Sequence, residues 1–129
     1  MDVRDLIKLA FSAKEKAYSP YSNFKVGAAL ETESDVVYTG CNIENAAYTP
    51  TNCAERTAFF KAVSEGVYYF KRIVVVGGDN EFCYPCGVCR QVMQEFCDEN
   101  EFEIIVAKDE ENYEVYKLKE LLPKGFKLE

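Results

Sequence analysis

Three cysteines constrain this chain more than any other feature. Cys86 and Cys89 enclose two residues in Pro85-Cys86-Gly87-Val88-Cys89, and Cys53 opens the upstream segment Cys53-Ala54-Glu55. Both segments read as helix starts, over 53–65 and 88–97. Between them lies an apolar run, Arg72-Ile73-Val74-Val75-Val76, bounded by Gly77-Gly78. A short apolar run of this kind is the pattern of a strand buried on both faces. Two helices on one face of a sheet bring their N-termini to the same strand-end edge, so the three thiols are expected to converge there. A C-x-x-C turn entering a helix aims two thiolates at one point, about 2.3 Å from a zinc ion. The helix N-terminus favours the thiolate form. By itself the pair also fits a redox dithiol or chance.

The remaining pattern supplies the rest of a sheet. Residues 2–18 read as an amphipathic helix, with Leu6, Leu9, Ala10, Ala13 and Ala17 recurring at three- and four-residue steps, stopped by Ser19-Pro20. Residues 24–32 carry Val26, Ala28 and Leu30 at period two, and Val36-Val37-Tyr38-Thr39 follows a polar turn, which gives a hairpin. Glu103 to Ala107 reads as another buried strand and 113–117 as a short one, before a stop at Leu121-Leu122-Pro123. Alternating strands and helices predict an α/β fold. It is expected to be a three-layer α/β/α sandwich, a mixed sheet of about five strands with helices on both faces. Residues 1–129 are expected to form a single domain, since the length suits one core and 48% of the residues are hydrophobic.

Composition removes several classes of function. The chain has no histidine, so serine–histidine and cysteine–histidine schemes are excluded. A formal net charge of −7 argues against nucleic acid as a partner. Asp2, Arg4, Asp5, Lys8, Lys14, Glu15 and Lys16 make the first residues too charged for a secretory signal. No apolar run reaches the roughly 18 residues of a membrane span. A cytoplasmic location is expected, where six cysteines point to metal or thiol chemistry before disulfides.

Three thiolates on zinc leave a fourth position for water, and Glu55, two residues after Cys53, is placed to sit beside that water without binding the metal. Read alone, Glu55 is an ordinary first-turn carboxylate favoured by the helix dipole. Cys83, Cys86 and Cys89 also have equal spacing, so a closed four-sulfur structural site with Cys53 stays open as an alternative. Cys41 and Cys97 read as small buried hydrophobes.

Zinc deaminases hold their metal with a His or Cys and a P-C-x-x-C pair, and use a non-ligand Glu as acid and base. The segments Thr51-Asn52-Cys53-Ala54-Glu55-Arg56-Thr57-Ala58 and Pro85-Cys86-Gly87-Val88-Cys89-Arg90-Gln91 resemble the two metal motifs of the cytidine deaminase family. In detail they resemble its small all-cysteine homotetrameric form. Residues 21–30 and 40–48 are similar to the substrate-side segments of that family. Tyr84 and Val88 depart from it, standing where smaller residues are common.

The resemblance implies hydrolytic deamination of cytidine and deoxycytidine to uridine and deoxyuridine, in pyrimidine salvage. It implies one Zn²⁺ per subunit on Cys53, Cys86 and Cys89, with Glu55 as the catalytic proton shuttle. Arg56 is implied to hydrogen-bond the ligand sulfurs, drawing off the negative charge that three thiolates leave on the metal. Asn42 and Glu44 are implied to bind the ribose hydroxyls, Phe24 to pack on the pyrimidine, and Ala54 to contact substrate. Tyr48, Ala46 and Phe126 resemble residues that a neighbouring subunit contributes in a homotetramer. The implied partner is a small nucleoside, with no nucleic acid and no membrane. Three other readings stay open from the residues alone: a deaminase of another aminopyrimidine nucleoside, of the blasticidin type; a non-enzymatic zinc-stabilised domain; and, disfavoured by the charge, a nucleic-acid editor.

Overall fold

The computed structural model describes residues 1–128. The chain runs α1 (Val3–Lys14), β1 (Val26–Thr32), β2 (Val37–Cys41), α2 (Ala54–Ser64), β3 (Phe70–Gly77), α3 (Gly87–Phe96), β4 (Glu103–Ala107), β5 (Tyr113–Lys117) and the one-turn helix α4 (Leu118–Leu121). The strands form one sheet in the order β2-β1-β3-β4-β5. β1 is antiparallel to both β2 and β3, β3 and β4 are parallel, and β5 returns antiparallel to β4. The mixed sheet with helices on both faces is the expected α/β sandwich.

Strand alternation explains the layers, because successive side chains point to opposite faces. Ala28, Leu30, Ile73, Val75, Ile104 and Val106 pack with Ala54, Ala58 and Phe59 of α2 and with Cys89 and Met93 of α3. Ala29, Val74, Val76, Ile105 and Ala107 face the other way, against Leu6, Ile7 and Ala10 of α1. The core under α2 is aromatic: the Phe59 ring meets Phe70 edge-on with centroids 4.9 Å apart and lies 6.0 Å from Phe102. Burying a phenylalanine of this kind contributes about 1.5–3 kcal/mol. Gly40 lets α2 approach β2 closely, since a Cβ there would lie 2.4 Å from the Ala54 carbonyl oxygen.

Most bounds shift by one or two residues from expectation, and two stretches differ more. The first helix ends at Lys14 rather than at residue 18. Past it, Tyr18 pairs its backbone with the 42–44 segment: its N–H donates to the Asn42 carbonyl at 3.0 Å, and its carbonyl accepts from Glu44 at 2.8 Å. Those bonds take backbone groups that a continued helix would need. Ahead of the stop at Leu121-Leu122-Pro123, which holds, the chain forms the unexpected turn α4, capped by the Glu120 carboxylate accepting from the Lys117 N–H at 2.8 Å. Among the described residues, no helix is long and apolar enough to cross a membrane.

Candidate metal centre

α2 and α3 start at the same edge of the sheet, and each has a cysteine at its N-cap. Cys53 caps α2 and Cys86 caps α3, where the Cys86 sulfur accepts from the Cys89 N–H at 3.4 Å. Cys89 lies one turn inside α3 and is buried. The sulfurs of Cys53 and Cys86 are 3.8 Å apart, those of Cys86 and Cys89 3.5 Å, and all three lie within 4.8 Å of one another. Tetrahedral zinc with sulfur at about 2.3 Å spaces its ligands about 3.8 Å apart. The donor set and its spacing therefore fit a zinc ion. Cys83 is outside this cluster. Its side chain is turned onto Gly77, where an added Cβ would lie 2.9 Å from the Cys83 sulfur. The closed four-sulfur alternative thus loses its fourth member.

The electrostatics at this edge are uneven. Arg56 donates from Nη2 to the Cys53 sulfur at 3.2 Å, while its buried Nε has no partner. The Cys53 thiol is held well below its ordinary value, first by a hydrogen bond from Cys89 and then by the Arg56 guanidinium. Cys89 is pushed upward by donating that hydrogen bond and by burial. Glu55, the second residue of α2, is 4% exposed. Burial drives its carboxyl up to about 7, against a hydrogen bond from its own backbone N–H, and the Cys53 charge adds to the rise.

A cleft opens over the cluster, lined by Val26, Asn42, Thr51, Asn52, Cys53, Ala54, Glu55, Cys83, Tyr84 and Cys86. Of the residues implied by resemblance to contact substrate, Asn42 and Ala54 line it. Glu44 and Tyr48 line an adjoining depression that shares Thr51 with the cleft. Phe24 lies in a separate depression with Lys14 and Tyr18. Phe126 is 67% exposed on the C-terminal segment, where its carbonyl accepts from Gln91 at 2.9 Å. Asn42 bridges the start of β1, accepting from the Val26 N–H at 2.9 Å and donating to the Phe24 carbonyl at 2.8 Å. Glu44 accepts from the Tyr21 and Ser22 N–H groups at 3.0 and 3.1 Å and from the Ser22 hydroxyl. An amide has two donors and two acceptor sites, and a carboxylate has about four acceptor sites, so both side chains keep unused capacity.

Asn52 and Thr57, which stand in the 51–58 motif without an expected role, brace the same edge. Asn52 donates to the Thr57 hydroxyl at 3.3 Å, and that hydroxyl lies 3.0 Å from the carbonyl oxygens of both Cys41 and Cys53. They tie the Cys53 turn to the end of β2. Their proximity to Cys53 in sequence was the available signal.

Residues 2–103 match the family model described as the cytidine and deoxycytidylate deaminase zinc-binding region. The chain belongs to that family. It is 59% identical over 98 residues to the cytidine deaminase of Sporosarcina psychrophila, covering 76% of this chain and 72% of that protein. It is 46% identical over 129 residues to the cytidine deaminase of Halalkalibacterium halodurans, covering 100% and 97% of the two chains. The crystal structure of cytidine deaminase from Burkholderia pseudomallei superposes with a TM-score of 0.91 at 46% identity, over 98% of this chain and 100% of that one. Both the sulfur triangle and the buried Glu55 fall within the residues that match the family model.

Proposed function

We propose that this chain hydrolyses the 4-amino group of cytidine and deoxycytidine, releasing ammonia and leaving uridine or deoxyuridine. The observation that carries this reading is the sulfur triangle of Cys53, Cys86 and Cys89 with the buried Glu55 beside it. The three cysteines hold one zinc ion per chain. When bound, that ion acts as a Lewis acid that lowers the pKa of water at its open position.

The protein groups do the rest. Glu55 accepts the proton of the attacking water and gives it to N3 of the base. It then carries the second water proton to the departing amine, so that ammonia leaves as the C4 carbonyl forms. A carboxyl whose neutral form is favoured by burial is suited to hold a proton between those steps. Arg56 draws charge from the Cys53 sulfur, offsetting the net negative charge of three thiolates on a dication. Asn42 and Glu44 use their spare capacity on the ribose hydroxyls, Phe24 packs on the pyrimidine, and Ala54 contacts the base. Because Tyr48 and Phe126 lie outside the cleft of one chain, the site is completed by neighbouring copies in a homotetramer. Tyr48, 78% exposed, and Phe126 are the residues a neighbour lends. Residues 1–129 act as one catalytic unit. Among the described residues none of the six cysteines is joined in a disulfide, which suits the reducing cytoplasm.

The test mixes purified, zinc-assayed protein with cytidine, deoxycytidine and cytosine and follows the ultraviolet change on loss of the amino group. Both nucleosides are expected to turn over, and cytosine to fail for want of ribose contacts. Zinc-loaded protein that leaves both nucleosides unchanged refutes the activity, and an active monomer in sedimentation refutes the shared site.

A further inference from the structure

Cys86 is the exposed member of the sulfur triangle, with Cys53 half-buried and Cys89 buried. Cys89 is inside α3, and Cys53, an N-cap like Cys86, directly precedes the fully buried Ala54, whereas the residue after Cys86, Gly87, is exposed. Cys86 closes the 82–86 segment that leads from the end of β3 into α3, so its sulfur is placed by that segment together with the bond from the Cys89 N–H at 3.4 Å.

Two anchors tie the segment to neighbouring elements. Tyr84 donates its hydroxyl to the Glu114 carboxylate on β5 at 2.7 Å, and Tyr116 donates to the same oxygen at 2.8 Å. The Tyr84 and Tyr116 rings meet edge-on with centroids 6.2 Å apart, and Phe82 adds a tilted contact with Tyr84 at 6.5 Å. As the second anchor, Arg90 of α3 donates from Nε to the Pro85 carbonyl at 2.7 Å and from Nη1 to the Leu121 carbonyl at 2.8 Å. Pro85 directly precedes Cys86. Hydrogen bonds to or from ionised groups are the strong ones, and the planar fork of arginine is what lets one side chain hold two carbonyls at fixed angles. Glu114, Tyr116 and Leu121 all lie beyond residue 103, where the family-model match ends.

We infer that Tyr84 and Arg90 are positioning residues for the metal centre, which hold the loop of Cys86 against β5 and α4 and so keep the most exposed ligand in place. The inference rests on the reading of Cys53, Cys86 and Cys89 as zinc ligands. A three-thiolate site opens by detaching a ligand, and the exposed one on a loop detaches with least disruption of packing. The rate of metal loss is therefore the direct readout.

The experiment loads the full chain with zinc, adds excess of a zinc-indicating chelating dye, and follows release in parent, Tyr84→Phe, Arg90→Lys and the double variant. Tyr38→Phe is the control, because Tyr38 makes the same kind of bond, to Glu65 at 2.9 Å, at the other end of α2. Release is expected to be roughly tenfold faster in each single variant, the lower end of what losing an outer partner of a metal ligand costs. It should be faster still in the double variant, with Tyr38→Phe at the parent rate. Parent-like release in Tyr84→Phe and Arg90→Lys overturns the inference, as does equal acceleration in Tyr38→Phe, which would mean general loosening. If Arg90→Lys does not fold, Tyr84→Phe alone decides. Cys86→Ser separates the two readings: if it keeps the parent's zinc stoichiometry and release rate, the ligand assignment fails and the inference with it. If it loses zinc while the anchor variants release normally, only the inference fails.

Discussion

Glu31 and Glu55 are buried glutamates near opposite ends of the same sheet, and their surroundings treat them in opposite ways. Glu31 is on β1, with 0% exposure. Burial alone would raise its carboxyl, but hydrogen bonds from the Met1 ammonium at 3.0 Å and from Arg72 Nε at 2.7 Å outweigh it and hold it below the ordinary range. Glu55 has a cation next to it in sequence, yet Arg56 spends its guanidinium on the Cys53 sulfur. Among the described residues no salt bridge reaches Glu55, and burial carries it upward instead. A buried acid answered by cations is a fixed anion and part of the structure. A buried acid whose neighbouring cation is turned elsewhere can take up and release a proton.

The largest expected effect tests the second half of that contrast. Glu55→Gln keeps the shape and burial of the side chain and removes the proton. Turnover of cytidine should fall by roughly 10²–10⁴-fold. Zinc content should match the parent and the melting temperature should equal or exceed it, because an ionisable group is taken out of a desolvated site. Ultraviolet turnover assays and thermal melts on the same preparation check both. Near-parent turnover would remove Glu55 from the chemistry.

Glu31→Gln should give the mirror image. It leaves Arg72 without its anion in a largely buried place, which costs about 3 kcal/mol of stability. Denaturant titration reads that loss, while turnover per folded molecule should match the parent. The pH dependence has a definite sign. Since the folded carboxyl is held below its unfolded value of 4.5, its contribution is complete above that value and is lost as pH falls through the lower folded one. Parent stability should therefore decline below about pH 4.5 more steeply than that of Glu31→Gln. Parallel curves would show that Glu31 is not the ion the structure makes it.

The two glutamates also mark what the sequence makes legible. The strand and helix order could be read because apolar runs and helix periodicity are local signals. The meeting of the three sulfurs could be read because cysteine spacing at two helix starts is local too. Glu31 could not. On an alternating strand it shares a face with Gly27 and Ala29, and its burial follows from α1 packing across that face, which no short window reports. Its partners Met1 and Arg72 are 30 and 41 positions away. The placement of Phe24, Tyr48 and Phe126 outside the cleft has the same origin, since a motif names residues and the chain path decides which of them meet. The helix α4 was missed because a single turn is too short to show a period.

The smallest expected effect separates charge from geometry at the two arginines. Arg56→Lys keeps a cation near Cys53 but not the planar group that reaches the sulfur at 3.2 Å. If a general positive field were enough, the variant would behave as the parent. If a directed N–H on the sulfur matters, turnover should fall about tenfold, the lower end for losing an outer partner of a metal ligand, with the melting temperature little changed. Arg72→Lys is the matching change at the other glutamate. It retains the charge opposite Glu31 but loses the Nε contact at 2.7 Å, so it should lower stability by about 1 kcal/mol and leave turnover alone. Measured together, the two lysine variants should move in perpendicular directions, one along rate and one along stability. If both lower stability and neither touches rate, Arg56 is a structural partner like Arg72, and the division between the two ends of the sheet fails.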